Sequence, residues 1–224
     1  MALGLDWNGA VAVITWDDAE NRINLDRLDE WHALLDEVEA HAGPTAMVAT
    51  GVGKFFSNGL DLGRFGQDPS EFNETLHALY RFVARLYVFP TYCVAALNGH
   101  TFAGGALVSC AFDYRVMRED RGYWCMNEVD IGLPLGERLA AILFARLPRA
   151  TAVEAMLTGR RYGGPGALAA GIVEEVASED RVLTRAVEVA EQMATKDRNV
   201  VWVHKRLAHG DLVGALGLTF DELR

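Results

Sequence analysis

Apolar residues along this chain follow two patterns, short continuous runs and longer stretches with helical spacing. Three runs have the length and composition of buried strands: Val11 to Trp16, Thr45 to Thr50 and Thr91 to Leu97. Helical stripes separate them. The first follows Asn24, which we predict as its N-cap, and is expected to end with Gly43 as the residue beyond the last turn. The second is predicted to begin with Ser70 as its cap and to continue to Leu86.

The second half of the chain repeats this alternation. The pattern predicts a helix from Gly104 to about Phe112 and then a strand from Asp113 to Met117. Three further signals follow: a capping box that opens a helix at Thr151, a strand from Ile172 to Ala177, and helix from Val182 onward with a break near Gly210. Strands that read as continuous apolar runs and alternate with helices predict an α/β fold with a covered, mainly parallel sheet.

Composition narrows the class of protein. The chain has 224 residues, half of them hydrophobic, which suits a single domain over residues 1–224 with its own core. Its 21 basic and 31 acidic residues give a net charge of −10, which argues against nucleic acid as a partner. Residues 86–112 carry no formal charge, but Pro90 and two glycine turns interrupt them, so we expect a buried segment and no membrane span.

Cysteine and histidine positions give no sign of a metal. The three cysteines form no C-x-x-C pair, their odd number does not fit a disulfide framework, and the six histidines lack ligand spacing. We therefore expect no metal and no redox cofactor. A cytoplasmic location is expected, because the first residues do not resemble a secretory signal.

Glycines concentrate in two loops, residues 51–66 and 98–105, which together hold eight of the 22. Each loop follows a predicted strand and leads towards a predicted helix. This arrangement leaves backbone N–H groups free at a helix N-terminus, and two such loops together could present two donors to one oxygen, as in an oxyanion hole. From spacing alone, a purely structural role as tight strand-to-helix turns is at least equally well supported.

Three segments resemble the crotonase, or enoyl-CoA hydratase/isomerase, superfamily: FFSNGLDL at 55–62, NGHTFAGGALVSCAFDYRV at 98–116 and TGRRYGGPGALAAGIVEEV at 158–176. The resemblance implies a spiral of ββα units over about residues 1–178 and a helical C-terminal section over about 179–224. It also implies homotrimers or pairs of trimers. The substrate would be an acyl-CoA, whose thioester oxygen would accept hydrogen bonds from the N–H groups of Leu60 and Gly104. Coenzyme A would be part of that substrate, and no cofactor would be needed.

The resemblance also indicates the reaction. Hydratases of the superfamily use two glutamates, and the corresponding positions here are Leu107 and Glu128. With a single carboxylate, the chain looks like the Δ3,Δ2-enoyl-CoA isomerase branch, in which Glu128 would move a proton from C2 to C4 of a 3-enoyl-CoA during fatty acid β-oxidation. Apolar neighbours are expected to raise the pKa of Glu128 by desolvation. These neighbours are Tyr123, Trp124, Met126, Val129 and Ile131. A solvated or salt-bridged Glu128, a hydratase, a thioesterase and a non-catalytic acyl-CoA-binding protein are the alternatives.

The remaining site residues follow from the same segments. Those expected to contact substrate are Asn58, Gly59, Leu60, Asp61, Leu62 and Leu107. For Asp61, capping of a following helix is favoured over an acid role. The phosphates of coenzyme A need local cations, for which we predict Arg22 and Lys54, with weaker candidates at Arg64, Lys205 and Arg206. The segment from Phe65 to Phe89 is expected to set the depth of the acyl pocket.

Overall fold

The computed structural model describes residues 2–65 and 70–223. Within them, two sheets are formed. Six strands make the large sheet, in the spatial order β1-β2-β3-β5-β7-β9: β1 (Leu3–Asn8), β2 (Val11–Trp16), β3 (Ala46–Gly51), β5 (Tyr92–Leu97), β7 (Tyr114–Arg118) and β9 (Glu175–Ala177). Three short strands make the small sheet: β4 (Phe55–Ser57), β6 (His100–Phe102) and β8 (Trp124–Cys125). The hairpin of β1 and β2 is antiparallel, whereas the remaining neighbours run parallel.

Helices follow the strands in chain order. Those of the first two thirds are α1 (Leu25–Ala40), α2 (Leu62–Phe65), α3 (Ser70–Tyr87), α4 (Gly104–Cys110), α5 (Glu137–Arg146) and α6 (Arg149–Thr158). The later ones are α7 (Gly164–Ala169), α8 (Val182–Met193), α9 (Arg198–Ala215) and a short 3₁₀ helix (Phe220–Leu223).

The chain order gives a repeating unit. A strand of the large sheet, a strand of the small sheet and then a helix occur three times in succession, as β3-β4-α2, β5-β6-α4 and β7-β8-α5. Each unit adds one parallel strand to both sheets, so the chain winds as a spiral. This arrangement confirms the predicted α/β class and the predicted spiral of ββα units.

Both faces of the large sheet are covered. In β3 every residue is buried, and successive side chains enter opposite cores. Met47 and Ala49 face α1, α3 and α4, whereas Ala46 and Val48 face α8. A strand buried on both faces needs apolar residues at every position, which is why 45–50 has no alternating polar positions.

Several boundaries differ from the sequence predictions, each for a local reason. The sequence pattern does not predict β1, β4, β6 or β8; the last three have only two or three residues, too few to show a periodicity. Asn24 is the N-cap of α1 as predicted, accepting the N–H of Arg27, but the C-cap is His41 in extended backbone, so Gly43 is not the terminating residue. The helix α3 begins at Ser70 itself, and the residue before it lies outside the described residues, as does Gly66.

Three predictions in the C-terminal half are also wrong. Thr151 lies inside α6, where its hydroxyl donates to the carbonyl oxygen of Ala170 instead of capping the helix. The break in the final helical region falls at residues 194–197, and Asp197 caps α9, whereas Gly210 lies within that helix. The strand predicted from Ile172 begins at Glu175.

No helix among the described residues combines the length and the apolar character needed to cross a bilayer. The charge-free segment 86–112 instead contains the end of α3, all of β5 and β6, and α4, and nearly all of it is buried.

Candidate active site

A cavity of about 530 Å³ opens between α2, α3, α4, α5 and the segment that follows β8. One part of its wall is polar or backbone and contains Arg22, Asn58, Leu60, Ala103, Gly104, Asn127 and Glu128. The rest is apolar apart from the hydroxyl of Tyr80 and consists of Leu62, Phe72, Leu76, Leu79, Tyr80, Leu107, Ile131, Leu133, Pro134, Leu135, Gly136 and Leu139. A mainly apolar cavity with a few convergent polar groups is the usual form of a small-molecule site.

The first glycine loop leaves the N–H of Leu60, a residue that lines this cavity, without a backbone acceptor among the described residues. Ile23 donates to the carbonyl oxygen of Gly59 and accepts from the N–H of Asp61, at 2.8 and 2.9 Å. In such a parallel bridge the N–H of the residue between the two, Leu60, points away from the partner strand. Gly59 makes the turn possible, because its φ of +76° lies in the left-handed region that favours glycine.

The second glycine loop directs the N–H of Gly104. Gly104 is the first residue of α4, where an N–H has no acceptor within the helix. Ala103 before it has a φ of +49°, a strained conformation for a residue with a Cβ atom. Backbone hydrogen bonds hold it there: its N–H donates to Cys125 and its carbonyl oxygen accepts from Leu107. Because these hydrogen bonds hold Ala103 in one conformation, they also fix the orientation of the following peptide group, which carries the N–H of Gly104.

The two loops are in backbone contact. A Cβ atom built on Gly59 would lie 3.0 Å from the nitrogen of Gly104, and one built on Gly104 would lie 3.5 Å from the nitrogen of Leu60. Among residues 2–65 and 70–223, neither of these two N–H groups has a backbone acceptor. The two predicted donor residues therefore lie close together on one wall of the cavity.

Glu128 lies on the same cavity wall, in the irregular segment between β8 and α5. It is 8% exposed, and its Oε2 atom has no hydrogen-bond partner in the described part of the chain. Burial raises the pKa of Glu128, and one backbone hydrogen bond opposes that shift. Its carbonyl oxygen accepts from Ile131 and Leu133, which fixes the turn that carries the side chain. The alternative of a solvated or salt-bridged glutamate is therefore wrong.

The apolar surroundings of Glu128 differ partly from those expected. Trp124 and Met126 are buried as predicted, but Tyr123 and Val129 are 44% and 48% exposed, and neither lines the cavity. Ile131 does line it. Most of the apolar wall of the cavity comes instead from other elements, including Leu107 of α4 and Leu139 of α5. No local pattern around position 128 could have indicated these two.

The polar end of the cavity is ordered around Glu20. Its carboxylate accepts from Arg22 and from Asn58, and these contacts lower the pKa of Glu20, the Asn58 hydrogen bond most strongly. Arg22 also donates to the carbonyl oxygen of Leu60 at 3.3 Å, which ties it to the first glycine loop. The side chain of Arg22 is therefore positioned at the cavity with its charge shared with Glu20.

Other predicted contacts lie elsewhere. Lys54, Gly59 and Asp61 are not among the described residues that line the cavity. The ammonium of Lys54 lies 5.3 Å from the ring centre of Phe55. Asp61 directly precedes α2, and its carbonyl oxygen accepts from Arg64 and Phe65, in keeping with a place at a helix start. Gly59 contributes through its backbone conformation.

The three weaker cation candidates already have partners within the chain. Arg64 pairs with Asp26 and Glu71. Lys205 is buried against Asp113, and the guanidinium of Arg206 lies between the rings of Trp202 and Phe220. None of the three lines the cavity.

Asn127 is a cavity residue that the sequence analysis does not single out. It precedes Glu128, lines the cavity, and has a buried Oδ1 atom without a partner among the described residues. Among those residues, no group of three His, Cys, Asp or Glu side chains is placed to hold a metal ion.

Comparison with known proteins agrees with this geometry. The family model described as enoyl-CoA hydratase/isomerase matches residues 6–213. Enoyl-CoA delta isomerase 2, peroxisomal, of Arabidopsis thaliana is 32% identical over 90% of this chain and 89% of its own length. Enoyl-CoA delta isomerase 3 of the same plant is 34% identical, over 83% of this chain and 81% of its own length.

Solved structures share the fold. The crystal structure of an enoyl-CoA hydratase from Mycobacterium ulcerans superposes with a TM-score of 0.90 at 26% identity, covering 97% of this chain and 95% of that chain. Relatives therefore carry both isomerase and hydratase names. The match over most of the chain and the shared fold show that this protein belongs to the enoyl-CoA hydratase/isomerase family, the crotonase superfamily.

Proposed function

We propose that this protein is an enoyl-CoA delta isomerase, which converts a 3-enoyl-CoA into the 2-trans-enoyl-CoA. One observation carries the proposal: Glu128 is the one carboxylate among the described residues that line the cavity. Leu107, which also lines it, stands where the family resemblance places the second glutamate of the hydratases. An isomerase needs one group that first accepts and then returns a proton, whereas hydration needs a second group to hold water.

In the proposed reaction, the thioester oxygen accepts the N–H groups of Leu60 and Gly104. The carboxylate of Glu128 removes a proton from C2, and the electrons of that C–H bond form a dienolate whose negative charge rests on the thioester oxygen. The resulting carboxylic acid then returns the proton to C4, which leaves the double bond between C2 and C3. No atoms are gained or lost, and each of these steps uses only Glu128 and the two backbone donors.

The setting of Glu128 suits both halves of this cycle. Because burial raises its pKa, the carboxylate is a stronger base than one in water, and its neutral acid form is favoured more than that of an exposed carboxyl group. The oxyanion donors are neutral backbone groups, so they stabilise the dienolate without lowering the basicity of Glu128 as a nearby cation would.

The test is an assay of the purified protein with a 3-enoyl-CoA, followed by the absorbance of the conjugated thioester. Mass spectrometry of the same samples detects 3-hydroxyacyl-CoA and free coenzyme A. Conversion to the 2-enoyl product that needs Glu128 supports the proposal, whereas a 3-hydroxy product or released thiol as the main outcome assigns hydration or hydrolysis. A matched control is Glu137→Gln, which changes an exposed carboxylate outside the cavity wall.

Two further features remain predictions. Coenzyme A phosphates are expected beside Arg22, at the polar end of the cavity, with Lys54 as the second candidate. A homotrimer or pair of trimers is expected in solution, and α9 exposes Val200, Val203 and Leu207 on a surface that such an assembly could cover. A cytoplasmic location also stays a prediction; the name of one Arabidopsis relative places that protein in the peroxisome.

A further inference from the structure

The acyl side of the cavity follows one stripe of α3. Phe72, Leu76, Leu79 and Tyr80 line it, at spacings that put them on the same face of the helix. Eight residues of helix correspond to about 12 Å, so the stripe is long enough to accompany an extended hydrocarbon chain. Phe72 and Leu76 are partly exposed, whereas Leu79 is fully buried and Tyr80 is 8% exposed, so the stripe leads from the surface into the protein.

The stripe ends at Tyr80. The next residues on this side of α3, Val83 and Tyr87, are 0% and 2% exposed and belong to the hydrophobic core. They do not line the cavity. On the facing helix α5, Leu139 is the last residue along the chain that lines it, and its neighbour Arg138 places its guanidinium 5.5 Å from the ring centre of Tyr80.

Arg138 holds the ring from the outside. It is an exposed residue, and its guanidinium also approaches the C-terminal turn, since a Cβ atom built on Gly217 would lie 3.0 Å from its Nη2 atom. The ring of Tyr80 therefore lines the cavity and also lies close to the cation of an exposed residue. A cation near an aromatic ring favours one ring position.

The other end of the substrate has a fixed position. If the thioester oxygen is held by Leu60 and Gly104, the number of carbons that fit before the end of the pocket is set by the distance from those donors to the ring. We propose that the Tyr80 ring, positioned by Arg138, is the end wall of the acyl pocket and sets the longest acyl chain that binds well. This inference rests on the proposed acyl-CoA substrate.

The experiment measures binding rather than turnover, by calorimetry with saturated acyl-CoAs from hexanoyl-CoA to palmitoyl-CoA. For the unaltered protein, affinity is expected to rise with each added carbon pair and then to stop rising when the chain reaches Tyr80. In Tyr80→Ala the rise continues to longer chains, so that the ratio of long-chain to short-chain affinity increases about 10-fold. Tyr80→Phe keeps the ring and is expected to keep the original length profile.

Two further variants make the result decisive. Arg138→Ala changes an exposed residue, so it tests the inference even if Tyr80→Ala does not fold. In this variant we expect the ratio of long-chain to short-chain affinity to increase about 3-fold. The control variant is Phe144→Ala. Phe144 lies on α5, its ring centre is 4.8 Å from the guanidinium of Arg149 at the start of α6, and it does not line the cavity. Its removal is expected to leave the chain-length profile unchanged.

An unchanged length profile in both Tyr80→Ala and Arg138→Ala would overturn the inference, as would an equal shift in Phe144→Ala. The proposed isomerase function fails separately. Saturated acyl-CoAs cannot be isomerised, so a shifted binding profile without conversion of any 3-enoyl-CoA would retain the end wall and refute the isomerase. Conversion of a 3-enoyl-CoA together with an unshifted binding profile would support the isomerase and refute the end wall.

Discussion

Two carboxylates lie close to the core of this molecule in opposite surroundings. Asp113, just after α4, accepts from the ammonium of Lys205 at 2.5 Å and from the N–H of Cys93 at 2.7 Å. Glu128, just after β8, has an Oε2 atom with no partner in residues 2–65 and 70–223. The comparison shows two uses of a buried carboxylate. The ion pair of Asp113 and Lys205 holds structural elements together, whereas a carboxylate with no ion-pair partner in the described part of the chain, such as Glu128, can still exchange a proton.

The pair at Asp113 connects distant parts of the chain. Lys205 lies on α9, is 7% exposed, and also donates to the carbonyl oxygen of Thr91 at 2.8 Å. Burial opposes the positive charge of Lys205, but the Asp113 carboxylate outweighs it and the pKa of Lys205 is raised. The C-terminal helix is thereby fixed to the start of β5. At Glu128, by contrast, no cation among the described residues opposes the effect of burial. In the proposed reaction, the negative charge left on the substrate after proton removal would be stabilised by the backbone N–H groups of the two loops.

The strongest test of this contrast is Glu128→Gln. Loss of the proton-transferring group is expected to lower kcat for isomerisation by about 1,000-fold. Because burial disfavours the charge of Glu128 and its Oε2 atom has no hydrogen-bond partner among the described residues, the variant should unfold at the same temperature as the unaltered protein or higher at neutral pH. Activity and thermal unfolding are measured on the same preparation, and retained turnover would refute the single-base mechanism.

The complementary test removes one member of the satisfied pair. Lys205→Met leaves the Asp113 carboxylate buried without its cation, and the free energy of unfolding should fall by about 3 kcal/mol. The double variant with Asp113→Asn removes both charges and retains an acceptor for the N–H of Cys93, so much of that loss should be recovered. Urea unfolding of the two single variants and the double variant gives the coupling between them. Additive losses would show that the pair does not act as a unit.

The same contrast explains which features the sequence can predict. For Lys205 the sequence suggests only a weak role at coenzyme A, because its charge is visible but its partner, 92 positions earlier, is not. Glu128 is identified through the resemblance of its segment, and its desolvation is anticipated, although from partly wrong neighbours. Strands buried on both faces and the capped α1 have local signals and are predicted. No local signal in the sequence predicts the strands of two or three residues or the strained φ of Ala103.

The cavity shows a similar division. The glycine loops are visible in the sequence because of their composition, but the roles predicted for Leu60 and Gly104 come from the family resemblance, since spacing alone fits tight turns equally well. The apolar wall is different. Phe72, Leu76 and Leu79 form a single helical stripe in the sequence, but periodicity cannot tell a face packed on a core from one that lines a pocket. Tyr80 and Leu139 belong to the wall because α3 and α5 meet in space.

The third test concerns the neutral donors that replace a cation at the catalytic end. Gly59→Ala places a Cβ atom 3.0 Å from the nitrogen of Gly104 and should displace that donor, lowering kcat about 100-fold. Its control is Gly53→Ala. Gly53 has a similar φ, +74° against +76°, but a Cβ atom there meets nothing within 4 Å. Both variants should lose about 1 kcal/mol of stability through backbone strain. Equal losses of kcat in the two would show that the loop contact does not position the donors.

The last and smallest effect is the dependence of stability on pH. In the folded protein the pKa of Glu128 is raised above its ordinary value of 4.5. Well below that value the carboxyl is protonated in both states and costs no stability. As the pH rises through the interval between the unfolded and the folded pKa, the unfolded state releases its proton first, so the free energy of unfolding falls, and it stays lower above the folded pKa. Glu128→Gln has no such titration. Its stability relative to the unaltered protein should therefore increase as the pH rises above 4.5 and then become constant. Thermal unfolding of both proteins from acid to neutral pH measures the difference, and an advantage of the variant that is greatest in acid would mean that Glu128 is paired in the folded state.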